Sequence, residues 1–203
     1  MLIYVEFISR RAAVPLERFH AVAGGTQGTW AQHHGDDSII LNVGRTWRVG
    51  PEPEYLCVWH TPGSGLERID EWERLFGQAA VAAHHAEFEA VARIDRAGCY
   101  RPVTEPTEAT DGRYLLEWLS CGGVSDESLA AEFASRRQRH PARPLRCLAR
   151  PVGALAPGSH AFAVWGLAAF GDAQELATDL PDPHTGIAVI DAGLYADLGN
   201  EQL

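Results

Sequence analysis

Three side chains in the first third of the sequence have the chemistry to move a proton. Glu6 stands in "LIYVEFIS" (2–9) between apolar neighbours. A carboxyl placed there without a counter-charge loses its solvation, its pKa rises, and it becomes competent as a proton donor or base near neutrality. His20 lies at the edge of the apolar stripe Leu16, Phe19, Ala23 and Trp30, and an imidazole titrates in the physiological range. His60 closes "CVWHT", where Cys57 and Trp59 alternate with Val58 and His60. Glu117 occupies a string much like that of Glu6, "LLEWLS" against "YVEFIS". That match favours a plainer reading of both glutamates, as structural carboxylates each paired with an arginine.

A second set of residues is suited to binding. Asn42 and Thr46 share a face of "SIILNVGRTWRV" (38–49) and could orient a carbonyl or hydroxyl, unless they pair with neighbouring side chains. Tyr4 shares a strand face with Glu6 and Ile8. Trp30, Trp59 and Trp72 supply aromatic wall. The string "GGTQG" (24–28) reads as a helix break, since the strand before it and the lysine of a phosphate-binding loop are both missing. "HHGDD" (33–37) reads as a solvated loop, and no metal site is expected.

Composition narrows the function classes. The chain of 203 residues carries a net charge of -10, and a phosphate backbone needs a basic face, so nucleic acid is not an expected partner. Its cationic side chains are all arginine, which excludes lysine Schiff-base chemistry and a P-loop lysine. Four cysteines, Cys57, Cys99, Cys121 and Cys147, form no C-x-x-C pair and read as buried free thiols. No apolar run approaches the roughly 18–20 residues of a membrane helix, and "MLIYVEFISRR" reads as a strand rather than a signal peptide. A cytoplasmic protein without membrane or nucleic-acid partners is expected.

The elements that must position these residues are written twice. In the first half a strand (2–9), a helix opened by Pro15, a hairpin of 38–49 with 54–61 across "GPEP", a helix over roughly 65–90 and the strand "RIDRAGCY" give the order βαββαβ. The second half repeats it with "RYLLEWLSC", a helix capped by Ser125, a hairpin across "ALAPGS", a short helix "DAQELATDL" and "VIDAGLY". The expected division is 1–101, a linker 102–112 rich in Pro, Thr and acids, and 113–203. Helices cover only one face of each sheet, so the second face must be covered by the other half, sheet against sheet.

With this tandem pattern the chain resembles the dimeric α+β barrel superfamily, as two fused ferredoxin-like units in one α+β barrel. Its first strand and its tryptophan-containing second helix are most similar to the NIPSNAP-like and EthD-like branch, beside the antibiotic-biosynthesis monooxygenases and haem-degrading barrels. The resemblance implies a pocket between each sheet and its own helices. If Trp59 packs in the barrel interior together with its counterpart Trp165, His60 faces that pocket. The resemblance also puts His84 or His85, in "AAHHAEFE", where haem-degrading barrels carry a proximal histidine, although Glu6 stands where those relatives carry an asparagine.

The two halves disagree where chemistry is expected. His20, Trp30, Asn42, His60 and Trp72 belong to the first half alone. The expectation is therefore one pocket, in the first half, working without a cofactor as a monooxygenase, cyclase or isomerase on an apolar or aromatic oxygenated small molecule. Glu6, His20 and His60 would handle protons, Tyr4 and Asn42 would orient the substrate, and Trp30, Trp59 and Trp72 would line the wall. The alternatives are a non-catalytic carrier of a hydrophobic ligand or haem, with His84 or His85 as ligand, and an assembly protein with no pocket. The fused barrel could also pair as a homodimer.

Overall fold

The computed structural model describes residues 2–23, 25, 38–45, 55–61, 74, 77–107, 111–153 and 160–197, with the side chains of 38–40, 45, 60 and 61 outside that description. Eight strands close into one antiparallel barrel: β1 (Leu2–Arg10), β2 (Ser38–Arg45), β3 (Tyr55–Thr61), β4 (Ala92–Pro102), β5 (Arg113–Ser120), β6 (Leu145–Pro151), β7 (Ala161–Leu167) and β8 (Ala188–Asp197). The described helices are α1 (16–23), α2 (Ala79–Val91), α3 (Asp126–Arg139) and α4 (Ala173–Thr178).

Around the ring the order is β1-β3-β2-β8-β5-β7-β6-β4. The first four strands thus lie as β4-β1-β3-β2 and the last four as β8-β5-β7-β6, the same ferredoxin-like arrangement in each half. Two short seams join them. Val43–Arg45 of β2 lie opposite Tyr195–Asp197 of β8, and Tyr100–Pro102 of β4 lie opposite Ala149–Pro151 of β6. This is the α+β barrel of two fused βαββαβ units that the sequence pattern implies.

Alternation along the strands separates two environments. Ile3, Val5 and Phe7 of β1 point into the barrel, as do Tyr114, Leu116 and Trp118 of β5. Phe7 meets Trp118 at 5.5 Å between ring centroids, and Trp118 meets Phe162 at 5.7 Å, so aromatic rings of both halves build one core. Burying each such ring contributes about 1.5–3 kcal/mol, which makes sheet-on-sheet contact the dominant bond between the halves. The opposite faces pack under the helices. Phe19 and Phe88 cover the first sheet, and Leu129 and Phe133 the second.

The halves also match in their irregularities. Asp95 is the extra residue between the β1–β4 pairs Phe7–Arg96 and Ile8–Ile94, and Ile190 is the extra residue between the β5–β8 pairs Trp118–Asp191 and Leu119–Val189. Ile40 in β2 and Arg146 in β6 are passed over in the same manner. A bulge bends its strand and increases the local twist, and the barrel uses one at corresponding points of each sheet.

One expectation about orientation is corrected here. Trp59 and Trp165 do not pack in the barrel interior; both lie on the helix-covered face, in the clusters of Phe19 and Phe133 respectively. The reason is register. Trp59 pairs with Tyr4 and Trp165 with Leu115, both outward positions of their strands. Strand alternation then no longer supports His60 as a pocket residue, because that argument required Trp59 to face inward.

Local chemistry explains the second helix–sheet layer. The Ser125 hydroxyl accepts the Ser128 N–H at 3.1 Å at the start of α3, while Asp126 and Glu127 in the first turn and Arg136, Arg137 and Arg139 in the last complement the helix dipole. A Cβ on Gly166 would come within 2.3 Å of the Asp111 carboxylate, which instead lies against the bare backbone and takes Arg146 in a two-pronged pair at 2.6 and 2.8 Å. No helix among the described residues is long and apolar enough to cross a membrane.

Candidate functional site

The site is built around a bond that both halves contain. Trp59 Nε1 donates to Glu6 Oε2 at 2.9 Å, and Trp165 Nε1 donates to Glu117 Oε2 at 2.8 Å. In each case the indole reaches diagonally from the third strand of its half to the glutamate on the first. The two carboxyls are then treated in opposite ways.

In the second half the carboxylate is fully compensated. Arg136, on α3, sets Nη1 on Glu117 Oε2 at 2.8 Å and Nη2 on Glu117 Oε1 at 2.9 Å, and Nη2 also donates to the Leu176 carbonyl at 3.1 Å. The guanidinium lies between aromatic rings, 5.1 Å from the centroid of Phe133 and 5.2 Å from that of Trp165. Both charged side chains are buried, at 0% and 1% exposure, so no room is left for a ligand. The arginine-paired structural glutamate is realised here.

In the first half it is not. Among the described residues Glu6 has the Trp59 indole as its donor and no ion-pair partner. Burial pushes the Glu6 carboxyl up to about 7, against the smaller opposing effect of the Trp59 hydrogen bond. The surrounding residues differ from those of the second half in a consistent direction. Tyr4, Cys57 and Cys99 stand where the matching strand positions hold Leu115, Ala163 and Leu194. The Tyr4 phenol is raised by burial and then by the Glu6 charge, and the Cys57 thiol is raised for the same two reasons. Burial alone raises Cys99. These groups are held as neutral O–H and S–H donors, with Glu6 the one that ionises near neutrality.

The remaining expected residues are distributed around this centre. His20 is half-buried on α1, with its ring edge toward Phe19 at 5.8 Å and Tyr55 at 6.1 Å. Burial and then the Arg10 charge depress its pKa, so it stays neutral; no hydrogen bond joins it to Glu6. Asn42 donates Nδ2 to the Ala23 carbonyl at 3.1 Å, tying the end of α1 to β2, so at least this amide bond serves the scaffold. His84 lies on the face of α2 that carries the buried Val81, Phe88 and Val91, with Nε2 shielded from solvent. His85 points further out and pairs with Glu89 at 3.8 Å. Trp30, Trp72 and the His60 side chain lie outside the described residues, as do the strings 26–28 and 33–37. Among the described residues no group of three or more His, Cys, Asp or Glu could hold a metal ion.

Sequence reasoning missed Cys57 as the cross-strand partner of Glu6, Cys99 as that of Tyr4 and Tyr55 as that of Ile8, and passed over Arg136. Strand alternation carried the signal for Cys57, which shares the Trp59 face. Cys99 and Tyr55 required the strand register, which no single strand encodes.

No protein-family model matches the sequence, and no curated protein matches it. Solved structures do match over nearly the whole chain. A novel heme-binding protein from Thermus thermophilus aligns with a TM-score of 0.57 at 11% identity, covering 96% of this chain and 90% of that one. A Lactobacillus acidophilus protein with a provisional monooxygenase assignment aligns at 0.56 and 11%, with the same coverages of 96% and 90%. A mutant chlorite dismutase from Candidatus Nitrospira defluvii, in complex with cyanide, aligns at 0.55 and 8%, covering 97% and 91%. At these identities the likeness shows the fold, that of ferredoxin-like α+β barrel proteins.

The same finding overturns the expectation of a site that works without a cofactor. A barrel that matches 96% of this chain is a heme-binding protein. The donor set of this chain offers that group one imidazole, His84, on the helix face that carries Phe88, a member of the cluster of Phe19, Tyr55 and Trp59.

Proposed function

We propose that the space between the first sheet and its helices binds haem, with His84 as the axial ligand. The observation that carries this reading is the position of His84, on the buried face of α2 with its Nε2 shielded from solvent. His85, its neighbour in sequence, is 39% exposed and paired with Glu89, and so is set aside as ligand. The heme-binding barrel from Thermus thermophilus supports the choice of group. An iron porphyrin bound there would supply one-electron and oxygen chemistry, or would simply be carried.

The chain's own residues define what surrounds such a group. Phe19, Tyr55 and Phe88 form a buried apolar cluster there. Tyr4, raised by burial, keeps its proton and stays available as a donor. Glu6 holds or releases a proton at its carboxyl near neutrality, and the Trp59 N–H steadies the ionised form. An apolar or aromatic oxygenated substrate entering beside Glu6 would meet that proton-transfer group in a water-poor setting. The second half, closed by Arg136, acts as the fixed partner sheet.

Haem titration of the purified full chain tests the reading. The expected result is a Soret band with one-to-one stoichiometry that is lost or shifted in His84→Ala and kept in His85→Ala. A spectrum identical to that of free haem, or one unaffected by His84→Ala, overturns it.

A further inference from the structure

The second half shows what a carboxylate in this setting takes as its partner. Around Glu117 the oxygens are shared in a fixed pattern: Oε2 accepts from Trp165 Nε1 and from Arg136 Nη1, and Oε1 accepts from Arg136 Nη2. Around Glu6 the first of these bonds is present, and among the described residues the fork of two parallel N–H donors is not. The helices explain the difference. α1 buries Phe19 and Ala23 four residues apart, as α3 buries Leu129 and Phe133. Arg136 follows Phe133 by three residues, and the residue three beyond Ala23 is Thr26; from Phe19 to Gly44 the sequence contains no lysine or arginine. The first half thus keeps the acceptor and the indole, and its sequence carries no arginine at the spacing that places Arg136.

We propose that Glu6, beside Trp59, is a binding site for a planar cation, an amidinium or guanidinium on a small molecule, which takes the place that Arg136 fills in the second half. The fork geometry of such a group matches a carboxylate through two parallel N–H···O bonds, which a compact ammonium cannot reproduce. Of the positions that become polar in the first half, Cys57 lies opposite Glu6, Tyr4 shares its strand face and Cys99 lies opposite Tyr4, and none supplies a competing cation. Removal of a phenyl ring is part of the same change, since Ala23 stands where Phe133 stacks on Trp165 at 5.8 Å. A ligand with an aromatic body behind its cationic head therefore fits the difference between the halves. The inference rests on the Glu6–Glu117 comparison and is independent of haem and of His84.

Binding of a cation requires Glu6 to be ionised, which links binding to proton release. The titratable groups around it are Tyr4 on its own strand, Cys57 on β3 and Cys99 on β4, with His20 on α1 and His84 on α2 in the covering helices. Burial raises Tyr4, Cys57 and Cys99 and lowers His20, while it raises Glu6 to about 7.

Isothermal calorimetry of the full chain without added haem, using benzamidine as the probe, tests the proposal. The expected result is a single site that binds about tenfold more weakly at pH 6 than at pH 8. At pH 7 the buffer dependence of the heat should show about half a proton released per site. Glu6→Gln, checked for folding by circular dichroism, should weaken binding at least tenfold, and benzyl alcohol, the neutral analogue in shape, should bind no better than this variant. Equal binding by Glu6→Gln, equal binding of benzyl alcohol, or no proton release from the wild-type chain overturns the assignment, as does the absence of heat at millimolar benzamidine. Haem binding is read from a Soret band and this site from benzamidine heat without haem, so failure of the haem reading and failure of this one give different results.

Discussion

Arg136 places its two terminal nitrogens on the two oxygens of Glu117, at 2.8 and 2.9 Å, with both side chains buried. Removing one member leaves an uncompensated buried charge. Arg136→Leu should therefore lower the unfolding free energy by about 3–5 kcal/mol in urea titration. The double variant Glu117→Leu with Arg136→Met should recover much of that loss, because the apolar pair leaves no charge to desolvate. A single variant as stable as wild type would show that the pair contributes nothing.

Glu6 should behave in the opposite sense. Its carboxyl is raised from 4.5 to about 7 in the folded chain, so folding resists its ionisation. A raised folded-state value means that the contribution is fully favourable below the unfolded value and is lost as pH rises through the folded one. The window runs from about pH 4.5 to pH 7, and the loss amounts to about 3 kcal/mol. Glu6→Gln removes this dependence. The variant should gain stability relative to wild type between pH 5 and pH 8 in matched urea titrations; an unchanged difference would mean that Glu6 is not raised.

Trp59→Phe deletes the N–H that favours the ionised form of Glu6 at 2.9 Å. The Glu6 carboxyl should then titrate above about 7, read from its protonated C=O band by infrared difference spectroscopy across pH. A band that moves downward or stays in place would remove Trp59 as the donor that tunes it.

Asn42→Ala cuts the tie between β2 and the Ala23 carbonyl at the end of α1. The cost should be about 1 kcal/mol, and amide exchange should quicken within 16–23 more than in the barrel strands. Uniform acceleration across the chain would instead make Asn42 a global core contact.

How much of this could be read from the sequence depended on the range of the interaction. Strand alternation placed Tyr4, Glu6 and Ile8 on one face, since a period of two is a local property. The repeated strings revealed the two sheets, and the apolar character of both faces required that they meet. The likeness between Trp59 and Trp165 suggests a shared place in the common core, and so turns Trp59 the wrong way. Both indoles are instead kept by a shared bond to a glutamate, and a shared polar contact looks the same in sequence as a shared hydrophobic one. The "ID" letters before each closing glycine mislead in another way. Ile94 corresponds to Val189 in register, not to Ile190, because three residues separate Ile94 from Gly98 and two separate Ile190 from Gly193. Arg136 could be recognised as the partner of Glu117 only once α3 was laid on its sheet, nineteen residues away along the chain.

The two seams of the barrel have a consequence for how this protein meets other molecules. Each half, taken alone, would expose the outer strands of a four-stranded sheet, with rows of amide and carbonyl groups open to another chain. Closure joins those borders through three residue pairs at each seam within one polypeptide. Along those paired stretches a visiting peptide has no strand to extend. Recognition by this molecule is accordingly left to side chains on the helices and loops, and to whatever enters beneath them.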